Sequence, residues 1–227
     1  MRSSTLAITL LALGISACGS ESSPGNPAGN AGMGAVSGAG GGGGLGGSAG
    51  QAGGASVSQA LEQDLLFLRE EEKLARDVYL TLYDVWQLQP HSNIAASEQT
   101  HTDRVKDLLQ KVGIPDPVVD DSVGVFVDPT LAKLYVHLVA QGKQSELAAL
   151  QVGATIEDLD IRDIETMKGR TQDPAALALY EALQCGSRNH MRTFYSQIQS
   201  RGASYAPQYI SAAEMQAIVT GAKEKCN

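Results

Sequence analysis

IAASEQTHTDRVKDLLQKV, residues 94–112, sets Ile94, Glu98, His101, Val105, Leu108 and Val112 along one side of a helix, because steps of three and four residues return to the same face. Polar groups on a stripe bound for a core need partners, and burying a carboxylate without compensation is expensive. An inward Glu98-x-x-His101 pair therefore predicts either a hydrogen-bonded network or a metal ion held between helices.

Outward from this stretch the same pattern repeats. Leu61, Leu65, Leu68, Glu72, Ala75, Tyr79, Leu82 and Trp86 form a stripe on a preceding helix from Ala60 to Trp86. Pro90 is expected to stop it, with Ser92 or Asn93 capping the helix that runs to Val112 before Gly113 and Pro115. A long crossover follows, with Gly124-Val125-Phe126 and a short helical piece from Pro129 to Ala140, closed by Gly142. A third long helix from Ser145 to Gly169 carries Leu150, Ala154, Glu157, Ile161 and Ile164. Asp173-Pro174 opens a fourth, with Pro in the first turn as helix starts favour, and its stripe is Ala176, Tyr180, Leu183, Ser187, His190, Phe194 and Ile198. Pro207 and Ser211 predict a last short helix over one end.

Two helices joined tightly, a long connection and two more helices predict an all-α fold, a four-helix bundle with one long crossover plus short crossover and C-terminal helices, the topology of ferritin-like folds. Each stripe is interrupted near its middle, by Glu72, by Glu98 and His101, by Glu157, and by His190. In an antiparallel bundle those positions converge. Carboxylates chelate and bridge hard divalent ions and neutral imidazole adds a borderline ligand, a set suited to iron or manganese and acceptable to zinc. The blander expectation for the same residues is a metal-free polar network.

The stretches Arg69-Glu-Glu-Glu-Lys-Leu-Ala-Arg-Asp-Val-Tyr79, Ser97-Glu-Gln-Thr-His101, Gly153-Ala-Thr-Ile-Glu-Asp-Leu-Asp-Ile161 and Ser187-Arg-Asn-His-Met-Arg-Thr-Phe194 resemble the ferritin-like domain of unknown function 2202 family across most of residues 60 to 200. The resemblance implies the ferritin-like fold and brings no assigned reaction. More distantly, Glu72, Ala75 and Tyr79 are similar in spacing to the first helix of rubrerythrin-type di-iron proteins, and Glu98-x-x-His101 to their second. One departure stands out: where such proteins carry a second Glu-x-x-His, this chain has Ser187-Arg-Asn-His190. Asp160, three residues beyond Glu157, is expected to supply the missing oxygen ligand.

Other polar residues read differently. Glu70 and Glu71 fall off the stripe and are expected on a solvated face. Asp158 and Asp163 read as surface groups or as carboxylates orienting a ligand histidine, and Tyr79, Trp86 and Tyr180 as core aromatics. His91 is expected in a turn and His137 on the crossover.

The N-terminus reads as targeting and tether. Met1-Arg2, the apolar run Leu6 to Ile15 and Ile15-Ser16-Ala17-Cys18 make residues 1–18 a secretory signal, too short to span a membrane. Its end resembles the lipobox of bacterial lipoproteins, with Cys18 the lipidated residue and Gly19-Ser20 the pattern sent to the outer membrane. Residues 19–57 are nearly all small or polar, with a five-glycine run at Gly40 to Gly44; such a tether has a root-mean-square reach of about 35 Å. The remainder, 58–227, is long enough for one domain with a substantial core. Cys185 and Cys226 lie in no metal-like spacing, and in an exported chain they either pair or stay free.

A net charge of −8 and a pI near 5.0 leave a polyanion little to hold, so nucleic acid is not an expected partner. The expected partners are metal ions, oxygen or peroxide, the membrane through the lipid anchor alone, and a second copy in a homodimer. Two function classes follow: an envelope-tethered di-iron or iron–manganese oxidase or peroxidase, and a non-catalytic envelope module that stores or senses metal.

Overall fold

A computed structural model describes residues 57–226, which form six helices and no strand. They are α1 (Gln59–Trp86), α2 (Gln89–Val112), α3 (Pro129–Gly142), α4 (Glu146–Lys168), α5 (Pro174–Ser200) and α6 (Ala212–Thr220). The signal segment, Cys18 and the tether up to residue 56 lie outside the described residues. Among the described residues no helix is long and apolar enough to cross a membrane.

The caps explain the boundaries. Ser58, Ser145, Asp173 and Ser211 each accept a first-turn amide with the side chain, satisfying donors that have no intrahelical partner. Pro90 does not stop α1. It sits in the first turn of α2, where its missing N–H is not needed. The chain reverses instead at Gln87, which takes a left-handed φ of 53°. Ser92 and Asn93 are therefore inside α2, and so is His91. Gly113, at φ 77°, ends α2, as the left-handed C-terminal position favours.

α1 packs on α2 and α4 on α5; α2 meets α5 and α1 meets α4, so the four long helices close a ring. α3 lies against α1 and α4, and α6 against α5. The core is split in two. One half gathers Val78, Leu82, Ile94, Leu150, Phe194 and Ile198; the other gathers Leu61, Leu65, Val105, Ile164, Tyr180 and Leu183. On α1, α2 and α5 the polar interruption falls between the residues given to one half and those given to the other, and on α4 Glu157 and Asp160 fall just before the change, which comes between Ile161 and Ile164.

The crossover, residues 113–128, is strapped to α1 by buried charge. Arg69 pairs with Asp116 and Arg76 with Asp121. Lys73 Nζ, fully buried, reaches Asp77 at 2.5 Å and the Ser122 carbonyl at 2.9 Å. The Glu70 carboxylate accepts the amides of Val127 and Asp128 at 2.6 and 2.8 Å. Glu70 is thus not solvated: the crossover covers the face of α1 that its pattern assigns to water. Midway along α5, Cys185 forms a disulfide with Cys226, and Glu224 is gripped by Arg188 and Arg192.

Candidate metal centre

Between the two half-cores each long helix contributes one turn: Glu72 from α1, Glu98 and His101 from α2, Glu157 and Asp160 from α4, Ser187 and His190 from α5. All seven are buried. The donors form two groups, Glu72 with Glu98 and His101, and Glu98 with Glu157 and His190, the ligand atoms of each lying within 4.8 Å of one another. Glu98 belongs to both. Its Oε2 lies 2.8 Å from His101 Nδ1 and its Oε1 2.8 Å from His190 Nδ1. Glu72 Oε2 stands 3.2 Å from His101 Nδ1, and Glu157 Oε2 3.4 Å from His190 Nδ1. One carboxylate thus spans two imidazoles whose rings stack with centroids 5.5 Å apart.

Surrounding groups fix these side chains. His190 Nε2 meets Ser97 Oγ at 2.9 Å, which aims Nδ1 at the carboxylates. His101 Nε2 faces α5 at Gly186, where an added Cβ would stand 2.5 Å away. Only glycine leaves the imidazole room, although inside a helix it costs about 0.5–1 kcal/mol relative to alanine. Tyr79 Oη donates to Glu157 Oε1 at 2.5 Å. Ser187 donates to Asp160 Oδ2.

Several donor atoms are left over. Glu72 Oε1, Asp160 Oδ1 and His190 Nδ1 are buried without a hydrogen bond, Glu98 Oε1 standing 2.8 Å from the last as an ion pair. Glu71, Glu72, Glu98, Glu157 and Asp160 line a cavity of about 10 Å³, near the smallest that holds one water-sized particle. Buried polar atoms in native proteins are nearly always partnered, and the orphaned oxygens of Glu72 and Asp160 at one small space fit a cation.

Charge in the metal-free cluster is balanced by protons. Burial pulls His190 down, but Glu98 and Glu157 outweigh it and raise its pKa to about 10. His101 is also raised well above its usual value, Glu98 and Glu72 overcoming burial. Burial lifts Glu72 to about 7 against the attraction of His101. It also raises Glu157 and, with the repulsion of Glu72, Asp160. Glu98 alone is lowered: both imidazoles outweigh its burial.

All six carboxylate and histidine positions singled out from the sequence thus come together here. Their surroundings hold corrections. Glu71, expected in water, is buried with both carboxylate oxygens unpartnered, because α4 and the crossover enclose this part of α1. His91 is buried within α2, its Nε2 3.2 Å from the Ala149 carbonyl. Asp158 is no surface group: it gathers the Tyr205 hydroxyl and the amides of Gln208, Tyr209 and Ile210. Tyr79 is a core aromatic that also touches the cluster. Ser97 and Gly186 carry no pattern of their own in the sequence, since each acquires its role from a neighbouring helix.

The family described as "Uncharacterized protein domain (DUF2202)" matches residues 62–222. "Uncharacterized protein MJ0754" of Methanocaldococcus jannaschii is 52% identical over 169 residues, which span 74% of this chain and 91% of that protein. The crystal structure of the hypothetical protein MJ0754 from Methanococcus jannaschii superposes with a TM-score of 0.73, covering 74% of this chain and 96% of that one.

Proposed function

The chain belongs to the DUF2202 family, and from that premise we propose that it is an envelope-tethered, ferritin-like metal-binding protein whose buried cluster holds two iron ions, or one iron and one manganese, for redox chemistry on ferrous iron, oxygen or peroxide. The observation that carries this reading is Glu98, whose two oxygens each approach a different histidine, an arrangement suited to bridging two ions. The donor set of carboxylates with two imidazoles suits iron and manganese.

Each residue has its part. Glu98 would be shared between the two ions, His101 and His190 would hold one each, and Glu72 and Glu157 would add oxygen donors. Asp160, held by Ser187 through Oδ2, offers Oδ1 where the usual glutamate is absent. When bound, the metal supplies electrons and open coordination positions for the oxidant. The apolar halves above and below exclude water, which strengthens every electrostatic contact between them. Tyr79 keeps Glu157 in place. Placement in the envelope rests on the apolar segment ending in Ile15-Ser16-Ala17-Cys18.

Metal analysis of the untagged mature protein from iron-replete and manganese-replete cells tests the reading, beside a Glu98→Ala, His101→Ala double variant. The expected result is about two ions per chain, lost in the variant. A folded protein without metal overturns it. A storage or sensing role uses the same donors and is favoured by Ser187, which thins the ligand set; a loaded, reduced protein that leaves peroxide untouched selects it over turnover.

A further inference from the structure

We propose that the Cys185–Cys226 disulfide is a thiol-exchange site that latches the C-terminal segment, residues 221–226, onto the outer side of the α5 turn carrying Gly186, Ser187 and His190, so that a dithiol reductant loosens the Glu98 cluster from outside. Its link to metal rests on the metal-binding reading above. The turn has two faces. Gly186, Ser187 and His190 are buried on the cluster side, whereas Arg188, Asn189 and Arg192 bond the C-terminal segment, a division that follows from helical steps of three and four. Cys185 stands directly before Gly186, the wall against which His101 Nε2 is fitted.

Apart from the disulfide, the segment is held through Glu224. Its Oε1 accepts from Arg188 Nε at 2.9 Å and from Arg192 Nη2 at 2.8 Å, and its Oε2 from Arg188 Nη2 at 2.6 Å. Asn189 clasps the backbone of the same residue, Nδ2 donating to the Glu224 carbonyl at 3.1 Å and Oδ1 accepting the Glu224 amide at 2.9 Å. These contacts meet water: the Glu224 side chain is 31% exposed and borders, with Arg188 and Arg192, an open cleft of about 540 Å³. Ion pairs in contact with solvent are weak and screened by salt, so the disulfide is the part of the strap that holds without competition from water.

The two sulfurs are unequally placed. Cys185 is 7% exposed and Cys226 lies in the open, so the thiolate of a dithiol attacks Cys226 Sγ. A mixed disulfide forms at Cys226, the Cys185–Cys226 bond breaks, and Cys185 leaves as a thiolate that takes up a proton. The second thiol of the reductant then attacks its own sulfur in the mixed disulfide, closing the reductant as a disulfide and releasing Cys226. Two electrons and two protons pass from the dithiol to the protein. Asn189 Nδ2, 3.2 Å from Cys226 Sγ, is placed to donate to that sulfur as it departs as a thiolate. Once the bond is open, the turn behind Gly186 keeps only the Glu224 contacts as its outer support.

Amide hydrogen exchange of the metal-free full protein reads the latch, in the oxidised form, after dithiothreitol, and in Cys226→Ser and Glu224→Gln. Reduction and Cys226→Ser are each expected to speed exchange over residues 185–192 about tenfold and to leave residues 131–139 of α3 unchanged. Glu224→Gln, which keeps the disulfide, should move it less. A disulfide that withstands dithiothreitol in the folded protein, exchange unmoved at 185–192, or exchange raised equally in every helix each overturns the proposal. Mn(II) loaded without oxygen should leave Cys226→Ser, where no thiol reagent competes for the ion, about tenfold faster than it leaves the oxidised wild type. Equal release beside faster exchange overturns the effect on the cluster. A wild type that takes up no Mn(II) overturns the metal-binding reading, and the exchange result then decides the latch by itself.

Discussion

His91 and His101 lie ten residues apart on α2, and burial acts on both against the charged form. The outcome differs because of their neighbours. His101 has Glu98 and Glu72 and is raised; His91 has the Ala149 carbonyl and the rings of Tyr79 and Phe194, and burial lowers it to about 4. His91 is thus neutral in the fold and easier to protonate once unfolded. Its contribution is complete above the unfolded value near 6.5 and is lost as pH falls through about 4. Replacing it by glutamine, which cannot charge, should flatten the stability curve across that window by about 3 kcal/mol at most, read from urea unfolding at pH 7.5 and 4. Equal slopes for both proteins would refute this. The sequence made His101 legible because it breaks an apolar stripe beside a carboxylate. It left His91 in a turn because Pro90 has two meanings, helix stop and first-turn residue, and only the fold chooses between them.

The charged run on α1 from Arg69 to Asp77 shows what an element's own pattern conceals. Seven of those nine residues are charged, the composition of a solvated face, yet α1 is buried on all sides from Leu68 to Tyr79. The reason is topological: the crossover and α4 enclose it, and Arg69, Glu70, Lys73, Arg76 and Asp77 dock the crossover. Lys73→Met removes the ammonium between Asp77 and the Ser122 carbonyl while keeping most of the volume. It should cost about 3 kcal/mol. Lys106→Met, at a half-exposed partner of Asp116, should stay within about 1 kcal/mol. Urea midpoints measure both, and comparable losses would remove the crossover strap as an explanation. Periodicity revealed the long helices and the inward Glu72, Glu98, Glu157 and His190, since a period is a property of one element. Glu70, Glu71 and Ser97 stayed hidden because their environment is made by elements distant in the chain.

At the scale of the molecule, four long helices, a crossover and a terminal piece follow from caps and breakers visible in the chain, whereas the Cys185–Cys226 disulfide needed the fold to bring together residues 41 apart. The division of the core has a consequence for folding cooperativity. Two apolar halves separated by a layer of buried acids communicate poorly, because the layer gains little from closing on itself. Without metal, amide hydrogen exchange should resolve two protected ends flanking a faster-exchanging middle on every long helix. Once Mn(II) is added, the profile should merge into one unit that opens together, since an ion bound only by the closed form stabilises all four helices at once. A uniform profile before loading would show the two halves already act as one. Residues at the waist thus set how far a disturbance at one end of the molecule travels, and on the proposed metal-binding reading an ion at the waist would switch that transmission on.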